Sequence, residues 1–312
     1  MLEKGGRLNL RERVFECLKA HPDQRFKARE IAEWIHRSYP AETLDKMARS
    51  SFLETEAALL GQLVAEIGAN RPAWQNRFTN LRTTEGRPRR YYWTNKTEIE
   101  EVREAESGSA DANLEQTLRS DQHEKVLLER DLYPMLIDFV STEVRASAFR
   151  INESSASNRR GPGGNKWLYP DIVAIEALTS EMNKEVVGAL QHSGERRARL
   201  WSFEVKRLLN RSNVREAYFQ AVSNSSWSSF GYLVAAEIEG ADTLQEIQML
   251  YSVHGIGLIE LDTQSPTESI LRIPARERLS IEWSMCSRLA DENRDFSSFM
   301  RRLRQFYQTG DL

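Results

Sequence analysis

The sequence predicts an α/β protein in which a small helical unit ending in a β-hairpin precedes a mixed β-sheet flanked by helices. Three observations carry this. From about residue 120, strand-like runs alternate with helical ones, the order of a sheet covered by helices. Before residue 95, three amphipathic helical patterns lead into two short strand-like runs around a glycine-containing turn. Charge separates the two halves: residues 1–95 hold 17 Lys/Arg against 12 Asp/Glu, a net of +5. Residues 96–120 hold 3 against 7, and the remainder 23 against 27, each a net of −4. The segment 96–119 loses its apolar pattern near Glu106–Asn113, where Ser, Gly, Ala and Asp dominate, and reads as an acidic linker. The expected division is therefore 1–95, linker 96–119, and 120–312.

In the first unit, Leu10, Val14, Phe15 and Leu18 have helical spacing, as do Ile31, Ala32, Trp34 and Ile35 before Pro40. A third helix is expected over about Glu54–Ile67, ended by the GANRP run. The hairpin FTNLRTTEGRPRRYYWT follows, and three helices with a hairpin resemble a winged helix-turn-helix. Its turn carries Arg82, Arg87, Arg89 and Arg90 beside Tyr91, Tyr92 and Trp93, the candidate nucleic-acid contacts, with guanidiniums reaching phosphates and aromatics anchoring the wing. A protein-docking role for such a module, with core aromatics and solvated arginines, is the competing expectation.

A chain of 312 residues, 40% hydrophobic and 29% charged, has the material for about two domains. No apolar run approaches the roughly 18 residues of a spanning helix, and the start lacks the apolar core of a signal peptide. Cys17 and Cys286 are far apart without CxxC spacing, so a cytoplasmic protein without structural zinc is expected. The five histidines show no HxH or HExxH spacing, which argues against a zinc hydrolase. The loop NESSASNRRGPGGNK lacks the GK[ST] ending of a phosphate-cradling loop.

The second unit reads as a helix (DQHEKVLLERDLYPMLIDFV), a strand at SAFRI, and a strand within KWLYPDIVAIEAL. Pro170 inside that strand predicts an edge or bulge that turns Asp171 out of the pleat. WSFEVKRLLN follows as a strand whose Glu204 and Lys206 share one face. NVREAYFQAV is a helix with Asn213 and Glu216 in capping positions. GYLVAAEI is then a strand, TLQEIQMLYSVH a helix closed by Gly255, and IGLIEL a strand. The amphipathic ENRDFSSFMRRLRQFYQ is expected to pack on this unit, with dimerisation as the competing use of its apolar face.

Asp171 in YPD, followed by Glu204-Val205-Lys206 one strand later, resembles the motif of the PD-(D/E)XK, or restriction-endonuclease-like, nuclease superfamily, and the order of elements over roughly 120–262 is similar too. Glu129 on the first helix and Gln220 on the helix after the motif resemble its Mrr-like branch. The resemblance implies Asp171 and Glu204 as metal ligands, Lys206 as the catalytic lysine, and Glu129 and Gln220 as accessory catalytic residues. It further implies a Mg2+-dependent endonuclease, with Mn2+ as a substitute, acting on double-stranded DNA in restriction or defence, with a homodimer as one route to cutting both strands. The 32 residues between Asp171 and Glu204 exceed the compact hairpin of that family and read as an insertion. Loop closure tolerates it at about 0.6 kcal/mol per doubling of length.

Chemistry supports the residue types. Hydrolysis of a phosphodiester needs a more nucleophilic water and neutralised phosphate charge, and a hard divalent ion on one or two carboxylates supplies both. A single acid-x-Lys triplet is expected by chance in a chain of this composition, and a charged strand face is most often only solvated. The competing expectation is a nucleic-acid-binding or regulatory protein whose nuclease-like fold does not cut.

Overall fold

The computed structural model describes residues 7–22, 24–50, 52–53, 55–86, 88–107, 127–156 and 168–310. The chain divides into two compact units, Met1–Thr97 and Glu98–Leu312.

The first unit begins with α1 (Leu10–Ala20), whose first turn is closed by Asn9 accepting from the Glu12 amide. β1 (Phe26–Lys27), α2 (Ala28–Ser38), α3 (Pro40–Ala48) and α4 (Glu56–Arg77) follow, then β2 (Leu81–Thr83) and β3 (Arg90–Trp93). The strands form an antiparallel sheet in the order β1-β3-β2. Two features differ from expectation. Pro40 does not only end α2: it opens α3, where its missing N–H falls at a position that needs no donor. The GANRP run does not end α4 either, which continues to Arg77 with Pro72 inside it. Pro72 has no N–H to donate to the Gly68 carbonyl, which removes one ladder bond, and burial of Trp74 two residues on offsets that loss.

The second unit starts with α5 (Glu98–Ser107), inside the segment expected to be linker, while 108–119 lies outside the described residues. Val102 and Ala105 are buried, and the Asn210 side chain donates to the Glu98 carbonyl, which ties α5 to this unit. The rest is α6 (Glu129–Phe139), a π-helical turn at Val140–Val144, β4 (Ser147–Arg150), β5 (Ile172–Ala177), α7 (Lys184–Ser193), β6 (Ala198–Leu209), α8 (Val214–Asn224), β7 (Phe230–Ile238), α9 (Ala241–His254), β8 (Gly257–Glu260), β9 (Ile270–Ile273), α10 (Trp283–Glu292) and α11 (Arg294–Thr309). The six strands lie in sequence order, β4-β5-β6-β7-β8-β9. β6, β7 and β8 run parallel, and the flanking pairs are antiparallel. This is a mixed sheet flanked by helices.

Alternation of side chains along β6 assigns its two faces. Phe203 and Val205 pack with Leu132 and Leu136 of α6, while α8 and α9 cover Leu233 and Ala235 of β7. Phe296, Phe299, Leu303 and Phe306 of α11 cover Val173, Ile175 and Leu200 with Trp227, so the C-terminal amphipathic helix is part of the core. Asn213 does not cap α8 through its side chain; it accepts from the Asn210 amide and donates to the Leu208 carbonyl, fixing the β6–α8 turn.

Candidate active site where β5 and β6 part

The pairing of β5 with β6 runs from Ala177↔Ala198 to Ile172↔Phe203. Pro170 lies ahead of the strand rather than within it, and β5 is interior between β4 and β6, so the edge reading of this proline does not hold. A residue without an N–H costs nothing where the ladder has ended. Asp171 still donates its amide to the Phe203 carbonyl at 3.1 Å, and then its Oδ2 accepts from the Val205 amide at 2.8 Å. The carboxylate thus replaces the ladder partner and is aimed at β6 where Glu204 and Lys206 lie.

On the other side β6 is held by β7, with Glu204 opposite Leu233 and Lys206 opposite Ala235. Lys206 Nζ lies 2.9 Å from Glu204 Oε1 and 3.8 Å from Glu129 Oε2, at the first residue of α6. Four of the five expected catalytic residues, Glu129, Asp171, Glu204 and Lys206, are therefore neighbours. Gln220 is not among them: it is half-buried one turn before the end of α8 and makes no hydrogen bond among the described residues. The end of α8 takes its place. Asn224, 1% exposed, donates to Glu204 Oε2 at 2.6 Å.

Three residues were not anticipated. Tyr133, one turn after Glu129, holds its hydroxyl 3.1 Å from both Glu129 Oε1 and Asp171 Oδ1. Asn224 stands one turn after Gln220. Both are polar residues at i+4 from a residue the sequence had singled out, and that is the signal that could have found them. Arg150, at the end of β4, stacks its guanidinium 4.5 Å from the Tyr133 ring centre and makes no ion pair among the described residues.

Charge is concentrated here. Burial first, then the carboxylates of Glu204 and Glu129, hold the Asp171 carboxyl well above its usual range. Burial likewise raises Glu204, opposed by Lys206 and Asn224. For Lys206, burial would lower the ammonium, but Glu204, Glu129 and Asp171 outweigh it and hold it above the ordinary lysine value. Burial, then Asp171 and Glu129, raises the Tyr133 phenol. Glu106 of α5 and Glu153 after β4 each keep an exposed side, yet partial desolvation first and Glu129 next raise them, against Lys206, so both lie within electrostatic reach of the cluster.

Among the described residues, no three Asp, Glu, His or Cys side chains converge closely enough to enclose a metal ion. Asp171 and Glu204 offer oxygen donors of the kind a hard divalent cation takes, one or two from protein with water completing the shell. Their mutual repulsion is also the kind that such a cation relieves. The donor set therefore fits a hydrated divalent ion and not a closed structural site.

The expected wing arginines are distributed differently. Arg89 lies 2.6 Å from Glu85, which is 8% exposed and also takes Arg71 at 3.1 Å. Arg82 is half-buried on β2, Arg90 pairs with Lys27 across β3 and β1, and Arg87 lies outside the described residues. Tyr91 and Tyr92 are core.

No protein-family model, curated protein or solved structure matches the chain. Among the described residues no helix is long and apolar enough to cross a membrane.

Proposed function

We propose that the chain is a divalent-metal-dependent endonuclease acting on DNA, with Mg2+ as the ion and Mn2+ as a substitute, and that the first unit serves as a winged-helix targeting module. The observation that carries this reading is the buried lysine shared by Glu204 and Glu129 beside Asp171, at the point where two strands part.

Asp171 and Glu204 are the residues that would hold the ion, which when bound supplies charge neutralisation at the phosphate and a more acidic water. The remaining work belongs to the chain. Asn224 occupies Glu204 Oε2 and so fixes the carboxylate's orientation, while the Val205 amide and the Tyr133 hydroxyl do the same for Asp171. Lys206 provides an ammonium donor for a phosphoryl oxygen or the attacking water, held in place by Glu204 and Glu129. Arg150, oriented by the Tyr133 face, adds a second cation on the α6 side. The arrangement requires no histidine base.

The test is incubation of supercoiled plasmid with purified protein and Mg2+ or Mn2+. Cleavage abolished by EDTA and by Asp171→Ala, with nucleic-acid binding retained, supports the reading. A well-folded wild type that binds DNA but never cuts it would leave the binding or regulatory function instead.

A further inference from the structure

The carboxylates of the first unit are unevenly spent. Glu16 and Glu42 engage Arg13, Glu33 engages Arg29, Asp45 engages Arg49, and Glu85 engages Arg71 and Arg89. Glu12 accepts from Asn9. Arg11, Lys19 and Arg77 make no ion pair among the described residues. Each is held instead by an aromatic ring: Arg11 and Arg77 lie 5.8 and 5.5 Å from the centre of Phe78, and Lys19 lies 4.5 Å from Trp93.

These residues belong to one surface. Arg11, Phe15 and Lys19 follow each other at steps of four along α1, which puts them on one helix face spanning about 12 Å. The Phe15 ring touches those of Phe78 and Trp93, at 4.9 and 5.2 Å between centres. A groove of about 760 Å3 runs along this face, lined by Arg11, Phe15, Lys19 and Phe78 and also by Glu12 and Glu16, whose carboxylates are engaged by Asn9 and Arg13. The aromatic faces restrict the cations before any ligand arrives, so less side-chain freedom is lost on binding.

We propose that this face of α1, with Arg77 from the end of α4, is a docking surface for the phosphate backbone of nucleic acid. It deepens the reading of the chain as a DNA enzyme and rests on it. The charge is complementary to a polyanion: three cations without a carboxylate partner among the described residues, in a stretch, residues 1–95, of net charge +5. Arg89, by contrast, must leave a buried carboxylate to reach a phosphate. Contacts of this kind, made to phosphate oxygens, contribute affinity and not sequence preference.

The test measures binding of the full chain to a fluorescent DNA duplex in EDTA over a range of salt concentrations. The triple variant Arg11→Gln, Lys19→Gln, Arg77→Gln should lower the salt slope by as much as about 2.7 log units, three contacts at about 0.9 each. A charge-matched control, Arg29→Gln, Arg37→Gln, Arg49→Gln, should keep a slope near that of wild type. Arg11→Lys with Arg77→Lys retains charge and should also keep it, which preserves the test if the Gln variant loses its circular-dichroism signature. A folded triple variant with the wild-type slope, or a control that loses as much, overturns the proposal and points to an acidic protein as the occupant. A slope that falls in a chain showing no EDTA-sensitive cleavage would uphold this surface while removing the nuclease reading.

Discussion

Replacing Lys206 by Met keeps the shape of the side chain and removes its charge, which isolates what the ammonium does. Its partner at 2.9 Å is the Glu204 carboxylate, and the two side chains are 12% and 4% exposed. Coulomb's law at an effective dielectric constant of about 20 gives about 6 kcal/mol for that separation. Desolvation of the lysine, which the variant no longer suffers, offsets part of it, and breaking a buried pair costs about 3–5 kcal/mol in practice. The loss depends on pH in a definite direction. Glu204 has a folded-state pKa above its ordinary 4.5, so its contribution to stability is present at low pH and lost as pH rises through the folded value. Without Lys206 that folded value rises further. Lys206→Met should therefore be destabilised by about 3–5 kcal/mol at pH 8 and by clearly less at pH 5. Urea unfolding, read by amide exchange in β6 so that only the second unit is scored, measures both. A loss below about 1 kcal/mol that does not grow between those pH values would refute the argument, because it describes a solvated surface lysine.

Asp171→Asn should abolish cleavage and yet stabilise the second unit by about 1–2 kcal/mol at pH 8, because Asn can still accept from Val205 without a buried charge. Since Asp171 is raised in the folded state, the gain should shrink toward pH 4, and calorimetry across that range checks it. In wild type Mg2+ should raise the melting temperature, and in Asp171→Asn it should not. Asn224→Asp should inactivate by adding a carboxylate beside Glu204, whereas Asn224→Ala should cost about 1.5–3 kcal/mol through the lost hydrogen bond and reduce cleavage; comparing melting and turnover of the two separates charge from packing. Glu85→Gln should destabilise the first unit by about 2 kcal/mol, since Arg71 and Arg89 both lose their charged partner and one of them also loses its acceptor, and exchange in β3 would report it.

The alternation of Phe203, Glu204, Val205 and Lys206 was enough to place a charged pair on a buried strand, because a period of two leaves no other face. The closing of α9 at Gly255, with φ +72°, was equally plain, since a left-handed residue there favours glycine. What failed was local punctuation overruled by packing. Pro72 ends a helix in isolation, and Trp74 beyond it keeps α4 intact. Asn213 and Glu216 match a capping pattern, but the turn before them claims the Asn213 side chain. The resemblance points to Gln220 because it specifies a helix but not the depth at which that helix meets the sheet. One turn decides between Gln220 and Asn224, and one-dimensional periodicity does not resolve that. Tyr133 escaped because its apolar ring fits the helical stripe and hides the hydroxyl's role.

The long connection between β5 and β6 acquires meaning from where it is attached. Asp171 precedes the first residue of β5, and the connection that carries α7 leaves from its last, Ala177, six residues or about 20 Å away along the strand. Between them the strands are paired at every position from 172 to 177. Residues added at that tip change the outline of the protein without shifting any backbone hydrogen bond at the charged end. A lineage can therefore experiment with new surface there, lengthening or replacing the helix, while selection on the chemistry acts on an unchanged scaffold.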